Sequence, residues 1–134
     1  MNISQAAQES GLSAKTIRYY EEIQLIAPAA RGENGYRQYD RKAVEELRFL
    51  AHARDVGFDL EESRQLLELQ RDRSRQSRHA RDLVMEKSQK LQQRIEQLVA
   101  MQAELLAMAS RCLGDEGPDC AILENLAAGQ EGGE

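Results

Sequence analysis

Cys112 and Cys120 are the two cysteines of the chain, and they bracket the polar stretch CLGDEGPDC. Two thiolates at this spacing can close on one metal ion. With no other strong donor beside them they suit a soft monovalent d¹⁰ ion, Cu(I), Ag(I) or Au(I), one per loop. Zn(II) ordinarily takes four ligands. Asp115, Glu116 and Asp119 are hard donors and read as solvated loop residues. His52 and His79 fall on expected helices outside the loop and read as surface histidines. A monovalent ion on two thiolates leaves a net negative centre that needs compensation. Amides and the positive dipole end of a helix starting after Cys120 can supply it, as can Arg81 from a second copy of the chain. Two alternatives stand beside this reading: a pair of inert thiols, and a disulfide switch, which the spacing also permits.

The second set of chemistry-bearing residues lies near the N-terminus. Lys15, Arg18 and Tyr19 share the outer face of an expected helix, since spacings of three and four put side chains on one side. Long donors on one face are what a helix reading the DNA major groove needs. Tyr36 and Arg37 follow a turn and form an arm, and Arg31 and Arg54 can hold flanking phosphates. A solvated basic face on a helical domain is the alternative.

The elements that would position these groups are helical. Helix one is expected over 3–9, with Ile3, Ala6 and Ala7 inward. Gly11 suits a tight turn. Ser13 caps helix two, which runs to about Glu22 and turns Leu12, Ile17, Tyr20 and Leu25 inward. Asn34-Gly35 signals a two-residue hairpin, because both tolerate positive φ. Tyr36, Arg37 and Tyr39 would then form the extended arm of a wing. Asp40 caps a third helix over 41–55 with the stripe Val44, Leu47, Leu50 and Ala51. Asp59-Leu-Glu-Glu62 is a capping box opening a fourth, with Leu60, Leu66, Leu67 and Leu69.

Residues 71–78 are polar and read as a linker or a frayed helix start. From 79 to 111 there is neither Gly nor Pro, and Val84, Leu91, Ile95, Leu98, Leu105 and Ala109 recur at coiled-coil spacing, with Ser88 and Gln102 as polar interruptions. A helix of about 32 residues spans about 48 Å. The small N-terminal domain cannot cover it, so a homodimer is expected. After loop 112–120 a short helix over 121–127 gathers Ile122, Leu123 and Leu126 on one face, and a disordered tail follows over 128–134.

The chain has 134 residues and a net charge of −5. That sum argues against nucleic acid, but its distribution does not. Residues 1–54 carry 8 Lys and Arg against 7 Asp and Glu, and the remainder carries 10 against 16. No apolar run reaches membrane-spanning length and no signal peptide is visible, so a cytoplasmic location without membrane association is expected, where thiols stay reduced. No catalytic constellation is visible, and an enzyme is not expected.

The stretches Ile3-Ser-Gln-Ala-Ala, Gly11-Leu-Ser, Thr16-Ile-Arg-Tyr-Tyr-Glu-Glu22, Gly35-Tyr-Arg-Gln-Tyr39 and Val56-Gly-Phe resemble the N-terminal domain of MerR-type regulators. The cysteine loop, with its Gly-Asp after the first thiol and Asp-Cys at its close, and the following Glu124-Asn-Leu are similar to the copper-responsive, CueR-like branch. The resemblance implies a mainly α fold: an N-terminal winged helix-turn-helix over 1–70, a long antiparallel coiled-coil dimerisation helix, and a C-terminal metal-binding loop with a short helix. It implies a homodimeric activator that binds double-stranded promoter DNA with an overlong spacer and undertwists and bends it for RNA polymerase. Lys15, Arg18, Tyr19, Arg31, Tyr36, Arg37 and Arg54 match the family's DNA-contacting positions. Ser77 matches a position where divalent-ion sensors carry cysteine and monovalent sensors carry serine, and in an antiparallel dimer it would face the other chain's loop. Leu113 departs from the proline common after the first loop cysteine. Ile122, Leu123 and Leu126 are expected to couple metal occupancy to the DNA-binding domain. A divalent-metal or redox regulator on this scaffold, or a coiled-coil metal-buffering or adaptor protein, remain the alternatives.

Overall fold

The computed structural model describes residues 1–129, and its secondary structure is mainly helical. Of the expected tail over 128–134, Ala128 belongs instead to the last helix, which runs one residue further than expected, and residues 130–134 lie outside the described residues. The chain divides into two compact units, Met1–Lys87 and a second from Ser88 onward.

In the first unit the first four helices each start where the sequence offers an acceptor for the free amides of the first turn. Asn2 caps α1 (Ile3–Ser10) in a reciprocal box with Gln5. Gly11 closes α1 in the left-handed region at φ 86°. The Ser13 hydroxyl accepts the Thr16 amide at 3.0 Å and opens α2 (Ala14–Glu22). Asp40 accepts the Ala43 amide and opens α3 (Arg41–Asp55). Asp59 and Glu62 form the box that opens α4 (Leu60–Arg71).

α1 packs on α2 and α3, and α3 packs on α4. Their inward stripes meet in one aliphatic core that includes Ala6, Leu12, Ile17, Leu25, Val44, Leu47, Leu50 and Leu67. Burying each large side chain contributes about 1.5–3 kcal/mol, the usual driving force for so small a domain. Leu60, Leu66, Leu69 and Ala51 are only partly buried.

Arg71, at the end of α4, locks the bundle. Its Nε and Nη2 each donate to a Glu46 carboxylate oxygen at 2.8 Å, and Nη2 also donates to the Leu25 carbonyl at 3.2 Å. This two-pronged pairing holds the Glu46 carboxyl below its ordinary value, chiefly through the hydrogen bonds from Arg71 and against the opposing effect of burial.

Between α2 and α3 lie β1 (Ala30–Arg31) and β2 (Arg37–Gln38), antiparallel, with Ala30 opposite Gln38 and Arg31 opposite Arg37. The connection is residues 32–36, not the two-residue turn expected from Asn34-Gly35. Gly35 alone of that pair has positive φ, at 80°. The Asn34 side chain instead accepts the Tyr36 amide at 3.0 Å, and Gly35 N–H donates to the Gly32 carbonyl at 2.9 Å. The asparagine thus satisfies a local amide through its side chain rather than by adopting the left-handed backbone.

The polar stretch 71–78 is a connection only over 72–76, and its last residues are a helix start, the other reading it allowed. Arg71 belongs to α4 and Ser77 already opens α5 (Ser77–Arg111). Nothing in Ser77-Arg-His-Ala breaks a helix, so α5 begins two residues before the expected boundary. Within the first unit Lys87 of α5 donates to Glu62 at 3.1 Å.

The second unit holds the rest of α5, the loop 112–120 and α6 (Ala121–Ala128). No residue of α5 is buried, and Val84, Leu91, Ile95, Leu98 and Leu105 are all exposed. No helix among the described residues is long and apolar enough to cross a membrane.

Candidate metal site and nucleic-acid interface

The last turn of α5 carries Cys112 to the loop, where its amide still donates to the Ala109 carbonyl at 3.2 Å. Gly114 turns the chain at φ 68°. The Asp115 side chain accepts the Gly117 amide at 2.9 Å. Cys120 then stands as the N-terminal flanking residue of α6, its carbonyl accepting the Glu124 amide.

These turns bring the Cys112 and Cys120 sulfurs to 3.5 Å, both half-buried. A disulfide bond is about 2.05 Å, so the two are separate thiols. Among the described residues, no group of three or more His, Cys, Asp or Glu side chains is placed to hold a metal. Metal–thiolate bonds of about 2.3 Å set two sulfurs about 3.8 Å apart on a tetrahedral ion and about 4.6 Å apart on a linear one. The observed pair is near the first value, yet a tetrahedral ion needs further donors that this loop does not bring to the thiols. A two-coordinate ion fits the donor set and asks the sulfurs to part by about 1 Å, a small movement for a glycine-containing loop.

The Cys120 thiol is held below its ordinary value, first by the Leu123 amide at the start of α6, then by Cys112 and the Ile122 amide, against the Glu124 carboxylate. No side-chain cap is formed there, so the thiol faces the helix start without closing on it. Thiolate formation is therefore favoured at the helix end that the sequence assigned to charge compensation. Ile122 is half-buried, while Leu123 and Leu126 are exposed. Leu113 is exposed on the loop. Ser77, the first residue of α5, and Arg81, one turn on, are exposed too.

In the first unit Lys15, Arg18 and Tyr19 are exposed on α2, and the Tyr19 ring leans on Tyr20 with centroids 6.3 Å apart. A groove of about 600 Å³ is lined by Arg18, Arg31, Tyr36 and Arg37, so four of the seven expected DNA contacts meet in one concavity. Lys15 and Tyr19 are not part of that lining, and neither is Arg54, which is exposed on the last turn of α3. Tyr36 is 70% exposed. Arg31 donates to the Gly35 carbonyl at 2.8 Å and so braces the wing.

Tyr39, expected with Tyr36 and Arg37 in the extended arm, lies one residue past β2 and turns its side chain into the core. It is buried, and its hydroxyl donates to Glu21 at 2.6 Å. Its phenol is pushed up to about 12, first by burial and then by Glu21. The arm's local sequence did not give this contact, because it says nothing about Glu21, its partner 18 residues earlier. Glu21 itself was missed as an inward residue. The signal was present: it lies four positions after Ile17, on the same helical face.

Residues 1–70 match the family model of MerR HTH family regulatory proteins, and residues 44–108 match the model described as MerR, DNA binding. The chain is 46% identical over 127 residues to the HTH-type transcriptional regulator CueR of Escherichia coli O6:H1, covering 95% of this chain and 94% of that one. It is 46% identical over 129 residues to the HTH-type transcriptional regulator HmrR of Rhizobium leguminosarum bv. viciae, covering 96% and 99%. Among solved structures, the lead(II) complex of the transcription regulator PbrR691 from Ralstonia metallidurans CH34 superposes with a TM-score of 0.82 at 27% identity, covering 94% of this chain and 98% of that one.

Proposed function

Because the chain belongs to the MerR family of helix-turn-helix regulatory proteins, we propose that it is a transcriptional activator switched by a monovalent coinage metal ion held between Cys112 and Cys120. The family and its relatives are regulators of transcription, and the chain is not an enzyme. The observation that carries the metal reading is the approach of two thiols to 3.5 Å with no third donor group assembled around them among the described residues. Similarity to relatives named CueR and HmrR supports the same reading. Cu(I) is the expected ion, with Ag(I) and Au(I) as chemical equivalents.

The residues divide the work. Cys112 and Cys120 supply the thiolates, and the α6 amides beside Cys120 favour the negative centre. Ser77 and Arg81 of a second copy are proposed to face the loop, the first leaving coordination at two and the second offsetting charge. Lys15, Arg18, Tyr19, Arg31, Tyr36, Arg37 and Arg54 are proposed to contact promoter DNA. The exposed apolar seam of α5 supports a homodimer, since a lone helix about 52 Å long would leave it in water. Metal occupancy would set α6, and Ile122, Leu123 and Leu126 would carry that setting to a DNA-binding domain. The bound promoter would then be undertwisted for RNA polymerase in a cytoplasmic setting. A ligand biases such states only through its differential affinity for them.

The test is run-off transcription from the controlled promoter during titration with buffered Cu(I), Ag(I), Au(I), Zn(II) and Pb(II). Activation by the monovalent ions, with Zn(II) and Pb(II) silent at equal free concentration, is the expected result. An equal response to Zn(II) would overturn the two-thiolate argument.

A further inference from the structure

We propose that Glu21 is a positioning residue of the DNA-reading surface, joining the wing to α2 and aiming the Arg37 guanidinium. The proposal rests on the reading of Arg18 and Arg37 as DNA contacts.

Glu21 lies in the last turn of α2 and is only 8% exposed. One carboxylate oxygen accepts the Tyr39 hydroxyl at 2.6 Å, and the other accepts the Ala29 amide at 2.9 Å. The Arg37 guanidinium stands 3.8 Å from the first oxygen. Ala29 precedes β1, Arg37 is in β2, and Tyr39 follows β2 by one residue. One buried side chain from α2 therefore holds both strands of the wing.

An acid beneath a surface that must attract phosphates is electrostatically unfavourable for binding. Its burial is also costly unless partners satisfy it. Two hydrogen bonds meet that need, and neither requires the arginine. The longer approach of Arg37 adds direction: one edge of the guanidinium faces Glu21, and the side chain remains 38% exposed. Arginine has five donors in a fixed fork, so a phosphate can still be received on the open edge. Arg18 lies three residues before Glu21 on the same helix and lines the same groove as Arg37. The helix that offers Arg18 thus also sets where the wing offers Arg37, and the two contacts keep a fixed spacing.

The test is a double-mutant cycle between Glu21→Gln and Arg37→Ala, on the full-length protein. The probe is the duplex that the wild type selects from random-sequence DNA, with affinity measured across a KCl series. In the wild-type background, Arg37→Ala is expected to weaken binding roughly tenfold and lower the salt slope by about 1. In the Glu21→Gln background the same change is expected to cost less than about threefold and leave the slope unaltered. Equal losses in both backgrounds overturn the positioning role, because a merely structural acid would not change what Arg37 contributes. No loss from Arg37→Ala in the wild type overturns instead the reading of Arg37 as a contact. If circular dichroism shows that Glu21→Gln is unfolded, the cycle is run on Glu21→Asp, whose shorter side chain withdraws the carboxylate from Arg37. A loss below about threefold on Arg37→Ala again supports the role, and an undiminished tenfold loss overturns it.

Discussion

Cys112 and Cys120 are eight positions apart in sequence and 3.5 Å apart in space, and neither is locked into a rigid core. Replacing either sulfur by oxygen removes a soft donor while leaving the loop's glycine turn and Asp115 hydrogen bond in place. Cys112→Ser and Cys120→Ser are each expected to keep promoter affinity within about twofold while abolishing metal-dependent transcription, since neither change touches α2 or the wing. Footprinting beside run-off transcription checks both halves, and loss of the footprint would refute the separation of sensing from DNA binding. Tyr39 gives a pH test at the same scale. Its phenol titrates at about 12 in the folded chain, against 10.0 for the free group. The protonated form is the one the fold favours, so this contribution is complete below pH 10 and is lost as pH rises toward 12. Thermal midpoints measured from pH 9 to 12 are expected to fall more steeply for the wild type than for Tyr39→Phe. Parallel curves would mean that the phenol is not a stabilising group.

Among the elements, the helix starts were legible because a cap is local chemistry: Ser13, Asp40 and Asp59 each reach an amide three positions on. The inward stripes of α2 and α3 were legible for the same reason, through their period. The wing was legible too, but the turn at its tip was not, because Asn34 had two ways to make a turn and neighbouring residues did not choose between them. Gln24, just past α2, has φ 62°, the left-handed region unsuited to a side chain. That strain is worth about 1–2 kcal/mol, partly offset in a glycine by about 0.4–1 kcal/mol of unfolded-chain entropy. Gln24→Gly is therefore expected to stabilise the fold by roughly 0.5–1 kcal/mol in urea unfolding, and a destabilised variant would show that the glutamine side chain matters more than its backbone. For α6, Ile122 is half-buried where Leu123 and Leu126 are exposed. Ile122→Glu is expected to bind the ion and transmit poorly, read as retained metal uptake with transcription reduced about tenfold or more, consistent with burying a charge at a cost of several kcal/mol. Normal activation by this variant would remove α6 from the coupling route.

On the scale of the whole molecule, the exposed seam of α5 needs something to cover it. A dimer is the proposed answer, and Leu98, at 47% exposure in the middle of the seam, is the residue to charge. Leu98→Asp is expected to shift sedimentation from dimer to monomer at micromolar protein, since the carboxylate would be buried among aliphatic side chains at a cost of several kcal/mol. A wild type that sediments as a folded monomer would sink the assembly. The mainly helical architecture was legible from period and spacing. The tie from Glu21 to the wing was not, because helical period can turn Glu21 inward but cannot name Tyr39, 18 residues on, as its partner.

Cys120 is the residue that immediately precedes α6, at its N-cap position. A helix of eight residues does not sustain itself in water, because its first turn is the unfavourable step in forming it. The residue proposed to grip the ion is also the residue at which that turn must nucleate. Ion capture and helix nucleation then share one free energy, and anything that favours the helix lowers the ion concentration at which the switch trips. The threshold of the response would be written in part into Ala121, Leu123 and Ala127, residues whose side chains supply no ligand, so that variation in an unremarkable helix could retune the sensor while its thiols stay the same.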